Sequence, residues 1–299
     1  MDRLQAMQTF VRVVEAGSFT AVARQAGATQ SAISKQVAAL EQALGARLLS
    51  RTTRALALTE EGQRYFEQAR RLVAEIAEAE SVVRGASQQL SGWLRVAAAV
   101  GFGRMVLLPI VQRFLADHPG VKVDLQLHDG FVDLVEQGID VAVRVGDVPG
   151  DSGLVARRVG TTERSLFASR EYLESRPARR RRLESPADLA HHACIVYTEL
   201  ATRNAWTLRG PDGADVTVRV EPAFQTNSSE GVRAATLAGL GVTYSPHWLL
   251  DDAVRSRKLQ RLLPGWSAPP LPIHLLITPE RRGAAKVKAF AEHVAGGLG

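Results

Sequence analysis

Residues 29–45 read TQSAISKQVAALEQALG. The apolar members Ile33, Val37, Leu40 and Leu44 recur at spacings of four, three and four, the buried stripe of an α-helix. A second face near the N-terminal end carries Gln30, Ser31, Ser34 and Lys35 and continues through Ala38. All four side chains form hydrogen bonds, and none is a carboxylate. A helix that only needed solubility would mix Glu or Asp into such a face. Two readings follow: a solvated surface, or a surface whose target disfavours negative charge.

The flanking sequence decides between them. Upstream, residues 2–16 carry Leu4, Met7, Phe10, Val11 and Val14 on one helical face, and Gly17 ends that helix. Ser18 is placed to cap a short, Ala-rich second helix, FTAVARQAG, which Gly27 terminates; Thr29 is then the N-cap of the quoted helix. Two short helices joined by a tight Gly-containing turn make a helix-turn-helix. In that motif the second helix enters the major groove with its N-terminal residues on base edges. Gln30 then reads an adenine edge, Ser31 and Ser34 serve bases or phosphates, and Lys35 reaches a guanine or a phosphate. Downstream, ARLLSRTTRALALT alternates apolar and polar residues about a polar turn. It reads as a β-hairpin wing that brings Arg51 and Arg54 to the DNA backbone or minor groove. Residues 1–58 hold seven Arg or Lys against Asp2, Glu15 and Glu41, a net +4 within a chain of net +6. A compact basic segment suits a polyanion. The competing view is a small structural three-helix domain with a basic surface.

From Thr59 the pattern TEEGQRYFEQARRLVAEIAEAESVVRGAS predicts one long helix, roughly 40 Å at 1.5 Å per residue. Thr59 caps it, and Glu60 and Glu61 suit the positive end of the helix dipole. Its stripe through Tyr65 or Phe66, Ala69, Leu72 or Val73, Ile76, Ala79 and Val83 has no domain core of its own to face. Pairing with a second copy covers it, and a homodimer presents two recognition helices to a roughly palindromic operator.

Beyond Gly92 strand and helix patterns alternate, which predicts an α/β fold with largely parallel sheets. WLRVAAAV, VKVDLQLHD and DVAVRVG read as strands, and GRMVLLPIVQRFLADHP and FVDLVEQG as helices. A second set runs from RSLFAS and HACIVYT through AFQTNSSEGVRAATLAGLGVTYSP, and PIHLLIT and a last helix to about Val294 close the chain before a frayed AGGLG. Ligands in such folds bind where strands end and helices begin. Two places fit: AAAVGFG, with Ala99, Val100, Gly101 and Phe102, and QTNSSEG, with Asn227 and Ser228 at a helix start. Facing helix N-termini favour an anion, so a carboxylate effector is expected, with Arg144 adding a charge. The plainer roles are turn glycines, a helix cap and a surface ion pair.

The chain of 299 residues suits two or three domains, and 45% apolar with 23% charged residues is the composition of a soluble globular protein. No apolar run reaches the ~18 residues of a membrane span, and MDRLQAMQTF lacks a signal-peptide core. The single cysteine, Cys194, excludes an intrachain disulfide and a four-Cys zinc site. These features point to a cytoplasmic protein without cofactor or metal. No P-loop, G-x-S-x-G elbow or metal-spaced cluster occurs, and the seven histidines are scattered, so an enzyme is disfavoured. The alternative to a regulator is a cytosolic small-molecule-binding protein or enzyme with an incidental helix-turn-helix. The run RPARRRR at 176–182 reads as a solvated loop.

The segment MQTFVRVVEAGSFTAVARQAGATQSAISKQVAALEQALGARLLSRTTRALALTEEG resembles the winged helix-turn-helix of LysR-type transcriptional regulators. The features that carry the likeness are ordered over about sixty positions: F-x-x-V-x-E-x-G-S-F-T, Q-S-A-I-S-K-Q-V, L-E-x-x-L-G, and R-x-x-R followed by L-T-x-x-G. Ser31 stands where many members have Pro, and Leu49 where Phe is common. The resemblance implies that Thr29, Gln30, Ser31, Ser34, Lys35, Arg51 and Arg54 contact a double-stranded DNA operator in a bacterial nucleoid. It implies residues 1–58 as the DNA-binding domain, 59–88 as the linker and dimerisation helix, and 92–299 as a two-lobed, periplasmic-binding-protein-like effector domain. The lobes are expected at about 92–162 with 267–299, and at about 163–266. It adds Tyr197, Thr198, Ser245 and Pro246 as the far wall of the effector site, and tetramers built from dimers. Many relatives carry Ser where Gly101 stands. An oxidant sensor within the family needs a cysteine pair, which Cys194 lacks.

Overall fold

Asp2 opens the first helix because its carboxylate accepts the otherwise free N–H groups of Leu4 and Gln5 at 3.0 and 3.1 Å. The computed structural model describes residues 2–52, 55–83, 90–148, 153–175 and 182–298, in two units, 1–89 and 90–299.

In the first unit, α1 (Arg3–Ala16), α2 (Phe19–Gln25) and α3 (Gln30–Leu44) follow one another with short turns. Ser18 accepts from Ala21 N–H and Thr29 from Ala32 N–H, both at 3.2 Å, and Gly17 and Gly45 close α1 and α3 with φ of 61° and 67°. Phe10, Val13, Val22, Ile33, Val37 and Leu40 form the core, and Thr9 Oγ1 donates to Gln36 Oε1 at 2.7 Å between α1 and α3. The wing is the antiparallel pair β1 (Leu49–Thr52) and β2 (Ala55–Leu58), with Leu49 opposite Leu58. Helix α4 (Glu60–Val83) follows, capped by Thr59 Oγ1 on Gly62 N–H at 2.9 Å. Its first half is not without a core: Tyr65 and Phe66 stand 5.7 and 6.3 Å from the Phe10 ring, and Ala69 is fully buried. The stripe that the sequence offered to a second copy is in part satisfied by α1.

The second unit starts with β3 (Gly92–Ala98). Then α5 (Val100–Phe102), a π-helical turn (Gly103–Leu107) and α6 (Leu108–Asp117) run on from one another. β4 (Val121–Leu127), β5 (Val141–Val145) and β6 (Val155–Thr162) complete the first pass, and β14 (Leu271–Ile277) returns near the chain end to lie between β5 and β6. The second sheet, in the order β11-β8-β12-β7-β13, is built from β7 (Arg164–Ser169), β8 (Cys194–Tyr197), β11 (Pro222–Thr226), β12 (Val242–Pro246) and β13 (Leu259–Leu262). Helices α7 (Arg170–Glu174), α8 (Ser229–Leu237) and α9 (His247–Arg255) and the hairpin β9 (Ala205–Arg209) with β10 (Asp215–Arg219) belong to this lobe; α10 (Ala285–Gly297) packs on the first. Neighbouring residues split the second lobe's core between the two faces of its sheet: Leu166 and Val196 pack with Trp206, while Phe167 and Ile195 pack with α8 and α9.

Three expectations need correction. The sheets are mixed rather than largely parallel: β3, β4 and β5 are parallel, as are β8, β11 and β12, but β7, β13 and β14 pair antiparallel. The antiparallel strands are those that carry the chain between the lobes, where no crossover helix intervenes. Residues 131–138 form turns and not a helix, because Asp133 Oδ1 accepts from the N–H groups of Val135 and Glu136, both at 2.9 Å, and competes with the helical ladder. At the C-terminus α10 runs through Gly297 instead of fraying, since it lies against Ile110 and Arg113 closely enough that an added Cβ at Gly297 would come within 3.0 Å of each. Residues 176–181 of the arginine run lie outside the described residues. No helix among the described residues is long and apolar enough to cross a membrane, and no cluster among them could hold a metal ion.

Candidate functional site

Helix α3 buries Ile33, Val37 and Leu40 and leaves Gln30, Ser31, Ser34, Lys35 and Ala38 around one open, shallow depression. Gln30, Ser31 and Lys35 are exposed and Ser34 is half-buried. Thr29 is exposed and caps the helix, its Oγ1 accepting Ala32 N–H at 3.2 Å while its O–H remains a donor. Thr20 Oγ1 donates to Gln30 Oε1 at 3.3 Å and steadies that side chain from α2. The positive end of the α3 dipole lies under the same face, where it favours phosphate. Of Arg51 only the backbone, in β1, is described, and Arg54 lies outside the described residues.

The wing is fixed by Glu41, to which the sequence reading gave no structural role. From the last turn of α3 its Oε1 accepts the N–H groups of Leu48 and Leu49 at 2.8 and 3.1 Å. Gly62 is required beside it: a Cβ there would sit 1.9 Å from the Leu48 carbonyl oxygen, which Thr59 N–H already bonds at 3.0 Å.

In the second unit a cavity of about 380 Å³ lies between the lobes, within the range of small-molecule sites. Ala99, Arg144, Tyr197, Ser245 and Pro246 line it, as the sequence suggested. Val100, Gly101, Phe102, Thr198, Asn227 and Ser228 do not. The reason is a carboxylate that belongs to the chain. Asp129 Oδ1 accepts Val100 N–H at 3.0 Å, and its Oδ2 accepts Ser229 N–H at 3.1 Å. Gly101 N–H goes to Ser229 Oγ at 3.1 Å. Phe102 is fully buried and meets Trp248 edge-on at 5.4 Å. Ser228 Oγ caps α8 on Gly231 N–H, Thr198 N–H bonds the Thr226 carbonyl, and Asn227 is exposed. The helix N-termini that were to bind an effector carboxylate therefore already hold Asp129.

What remains for a ligand is a largely apolar chamber in which Arg144 is the one Arg or Lys among the described residues, with Asp129, Asp133 and Glu199 also on its wall. Arg144, on β5, lies with its guanidinium carbon 3.5 Å above the Phe131 ring centroid. Burial lowers its basicity, partly offset by Tyr197 and Glu199. Its Nε is buried without a hydrogen-bond partner, and Arg144 makes no ion pair among the described residues. Burial and the nearby Asp129 and Glu199 push the Tyr197 phenol up, and burial raises Tyr244 to about 12, so both rings stay neutral donors at ordinary pH. The sequence reading missed Asp129, Phe131, Glu199 and Trp248. Asp129 had a signal: it follows the carboxyl end of a parallel strand, where ligand-facing residues gather.

A winged helix-turn-helix followed by two α/β lobes with a cavity between them defines a transcriptional regulator with a DNA-binding part and an effector-binding part. The family described as bacterial regulatory helix-turn-helix protein, lysR family, matches residues 4–63, and the LysR substrate binding domain matches residues 87–299. The chain belongs to the LysR family. It is 34% identical to the HTH-type transcriptional regulator YhjC of Escherichia coli (strain K12), over 99% of this chain and 98% of that one. It is also 34% identical to an HTH-type transcriptional repressor of Pseudomonas aeruginosa (strain UCBPP-PA14), over 98% of this chain and 92% of that one. Among solved structures, CrgA, a LysR-type transcriptional regulator from Neisseria meningitidis, superimposes with a TM-score of 0.61 at 32% identity, covering 99% of this chain and 98% of that one.

Proposed function

We propose that this regulator binds a small organic carboxylate with an apolar body, anchored on Arg144 between the lobes, and that this controls its hold on a specific operator. The observation that carries the reading is Arg144 itself: a cation without an ion pair among the described residues, in a chamber otherwise lined largely by apolar side chains. Desolvated charge without a partner is costly, and an anionic ligand removes that cost. Helix α9 supports it, since Pro246 and Trp248 at its N-terminus border the cavity and no side chain caps it.

Operator contact is assigned to Gln30, Ser31, Ser34 and Lys35, with Thr29 positioning α3 and the wing arginines Arg51 and Arg54 on the backbone. The chain acts in the cytoplasm, on DNA, without catalysis. It works as a homodimer through α4, where Leu72 is 46% exposed, and pairs of dimers form tetramers on DNA.

The test is calorimetric titration of aliphatic and aromatic carboxylates, each beside its neutral amide, against the parent protein and Arg144→Gln. Carboxylates should bind at least tenfold more tightly than their amides, and the variant should erase that preference. Amides that bind as well as acids, or an Arg144→Gln variant that keeps the preference, would overturn the carboxylate assignment.

A further inference from the structure

One stretch of the cleft wall, at Asp129 and Ser229, is tied across the lobes. Asp129 belongs to the first lobe, at the end of β4, and Ser229 to the second, at the start of α8. Ser229 gives its N–H to Asp129 Oδ2 and its Oγ–H to Asp129 Oδ1, both at 3.1 Å. The same Oγ accepts Gly101 N–H of the first lobe at 3.1 Å. A few residues along, Arg104 Nε and a terminal guanidinium nitrogen donate to Glu230 Oε1 at 3.0 and 2.8 Å. Five hydrogen bonds thus cross from lobe to lobe within a few residues, four of them to an ionised group.

We propose that Asp129 is a built-in ligand: a latch that holds the two lobes closed at α5 and α8 with no small molecule bound. Three observations converge on it. Asp129 takes the position between two helix N-termini that dipoles and free N–H groups make favourable for an anion. Ser229 is 6% exposed, and its hydroxyl both donates to Asp129 and accepts from Gly101, so its one O–H donor is spent on the bond between the lobes. Gly101 is fitted to it, because a Cβ there would come within 2.8 Å of Ser229 Oγ.

The latch also has a route to the effector, a clause that rests on the carboxylate reading. Phe131, two residues after Asp129 and 60% exposed, is the ring on which the Arg144 guanidinium rests. An anion paired with Arg144 draws that guanidinium off Phe131 and frees the segment that carries Asp129. Binding then shifts the lobes toward the open arrangement, to the extent that it favours that arrangement.

Spin labels at Gln137→Cys in the first lobe and Arg203→Cys in the second, in the full chain without DNA or ligand, measure the opening by pulsed electron resonance. Cys194 is fully buried with its thiol pushed up to about 12, and stays unlabelled. With the labelled chain assembled in excess unlabelled chain, so that each oligomer carries one labelled protomer, the parent should give one dominant short-distance population. Ser229→Ala, Asp129→Asn and Gly101→Ala should each add a longer one, with the open-to-closed ratio raised about tenfold or more. Asp215→Asn, which weakens an ion pair with Arg209 on the β9–β10 hairpin of the second lobe, should leave the distribution unchanged. Arg104→Gln weakens only the outer arm and should give an intermediate result if Asp129→Asn fails to fold. Distributions in all three latch variants that superimpose on the parent's would overturn the proposal, as would a parent that is mainly open. Failure of carboxylates to bind would remove the effector reading and leave the ligand-free distances, and the latch, standing.

Discussion

Glu41→Ala removes the acceptor that holds the wing to the reading helix. The side chain is half-buried, and its Oε1 takes two backbone donors, Leu48 N–H at 2.8 Å and Leu49 N–H at 3.1 Å. A hydrogen bond to a charged group contributes about 1.5–3 kcal/mol. Two bonds sharing one oxygen, partly in solvent, fall at the low end, so the loss comes to about 2–3 kcal/mol. For a domain of this size each kcal/mol moves Tm by roughly 4–8 °C, so the winged-helix transition should fall by about 10–20 °C. Glu41→Gln keeps a neutral oxygen in the same place and should cost about 1 kcal/mol. Hydrogen exchange read by mass spectrometry separates this segment from the effector lobes. Amides 48 and 49 should lose protection in the Ala variant and largely keep it in the Gln variant, while residues 90–299 stay unchanged. An Ala variant with parental Tm and parental exchange at those amides, or a Gln variant as damaged as Ala, would refute the reasoning.

Lys35→Ala should weaken operator binding and lower the slope of log affinity against log salt by about one, with carboxylate binding intact; unchanged affinity together with an unchanged slope removes Lys35 from the contacts. Cys194, raised to about 12 by burial, should resist iodoacetamide in the native chain and react only on unfolding, as mass spectrometry of the alkylated peptide will show. His247 is held below the ordinary imidazole value of 6.5, first by burial and then by Arg261, so the unfolded chain binds its proton more readily than the folded one. Its contribution to stability is complete above about pH 6.5 and is lost as pH falls below that toward the depressed folded value. Melting curves of the parent should therefore drop more steeply between about pH 6.5 and 5 than those of His247→Asn; parallel curves would count against it.

The first sixty residues were legible because their signals are local. Caps at Ser18 and Thr29 and the left-handed glycines at 17 and 27 each act within a few positions, and the structure has them where the sequence put them. Strands β3, β4, β5, β8, β12 and β14 were legible too, as short apolar runs. What failed was non-local or in competition. The segment 131–138 carries a helical spacing of apolar residues, and a side chain at Asp133 overrides it. The effector site was placed at helix N-termini that the sequence shows as free; the group that fills them lies 29 residues from Val100 and 100 from Ser229 along the chain. No periodicity reports a pairing of that span. Half of α4 found its partner in Phe10, a residue already credited to the first helix's own core.

The two connections between the lobes are unequal. Only Glu163 separates β6 from β7, whereas eight residues, beginning with Leu263 at a φ of 48°, separate β13 from β14. The short one is also clamped, since the Glu163 carbonyl accepts His247 N–H at 3.0 Å and its carboxylate stands 3.5 Å from the His247 ring. A one-residue joint beside a longer one that paired Ser267 and Arg209 backbone bonds hold to the second lobe leaves the lobes a fulcrum, not a sliding track. Angular play about Glu163 is then small for atoms nearby and amplified with distance from it. The same few degrees that barely stir the Glu163–His247 contact can part groups across the far rim of the cleft, so small free energies there are turned into large displacements.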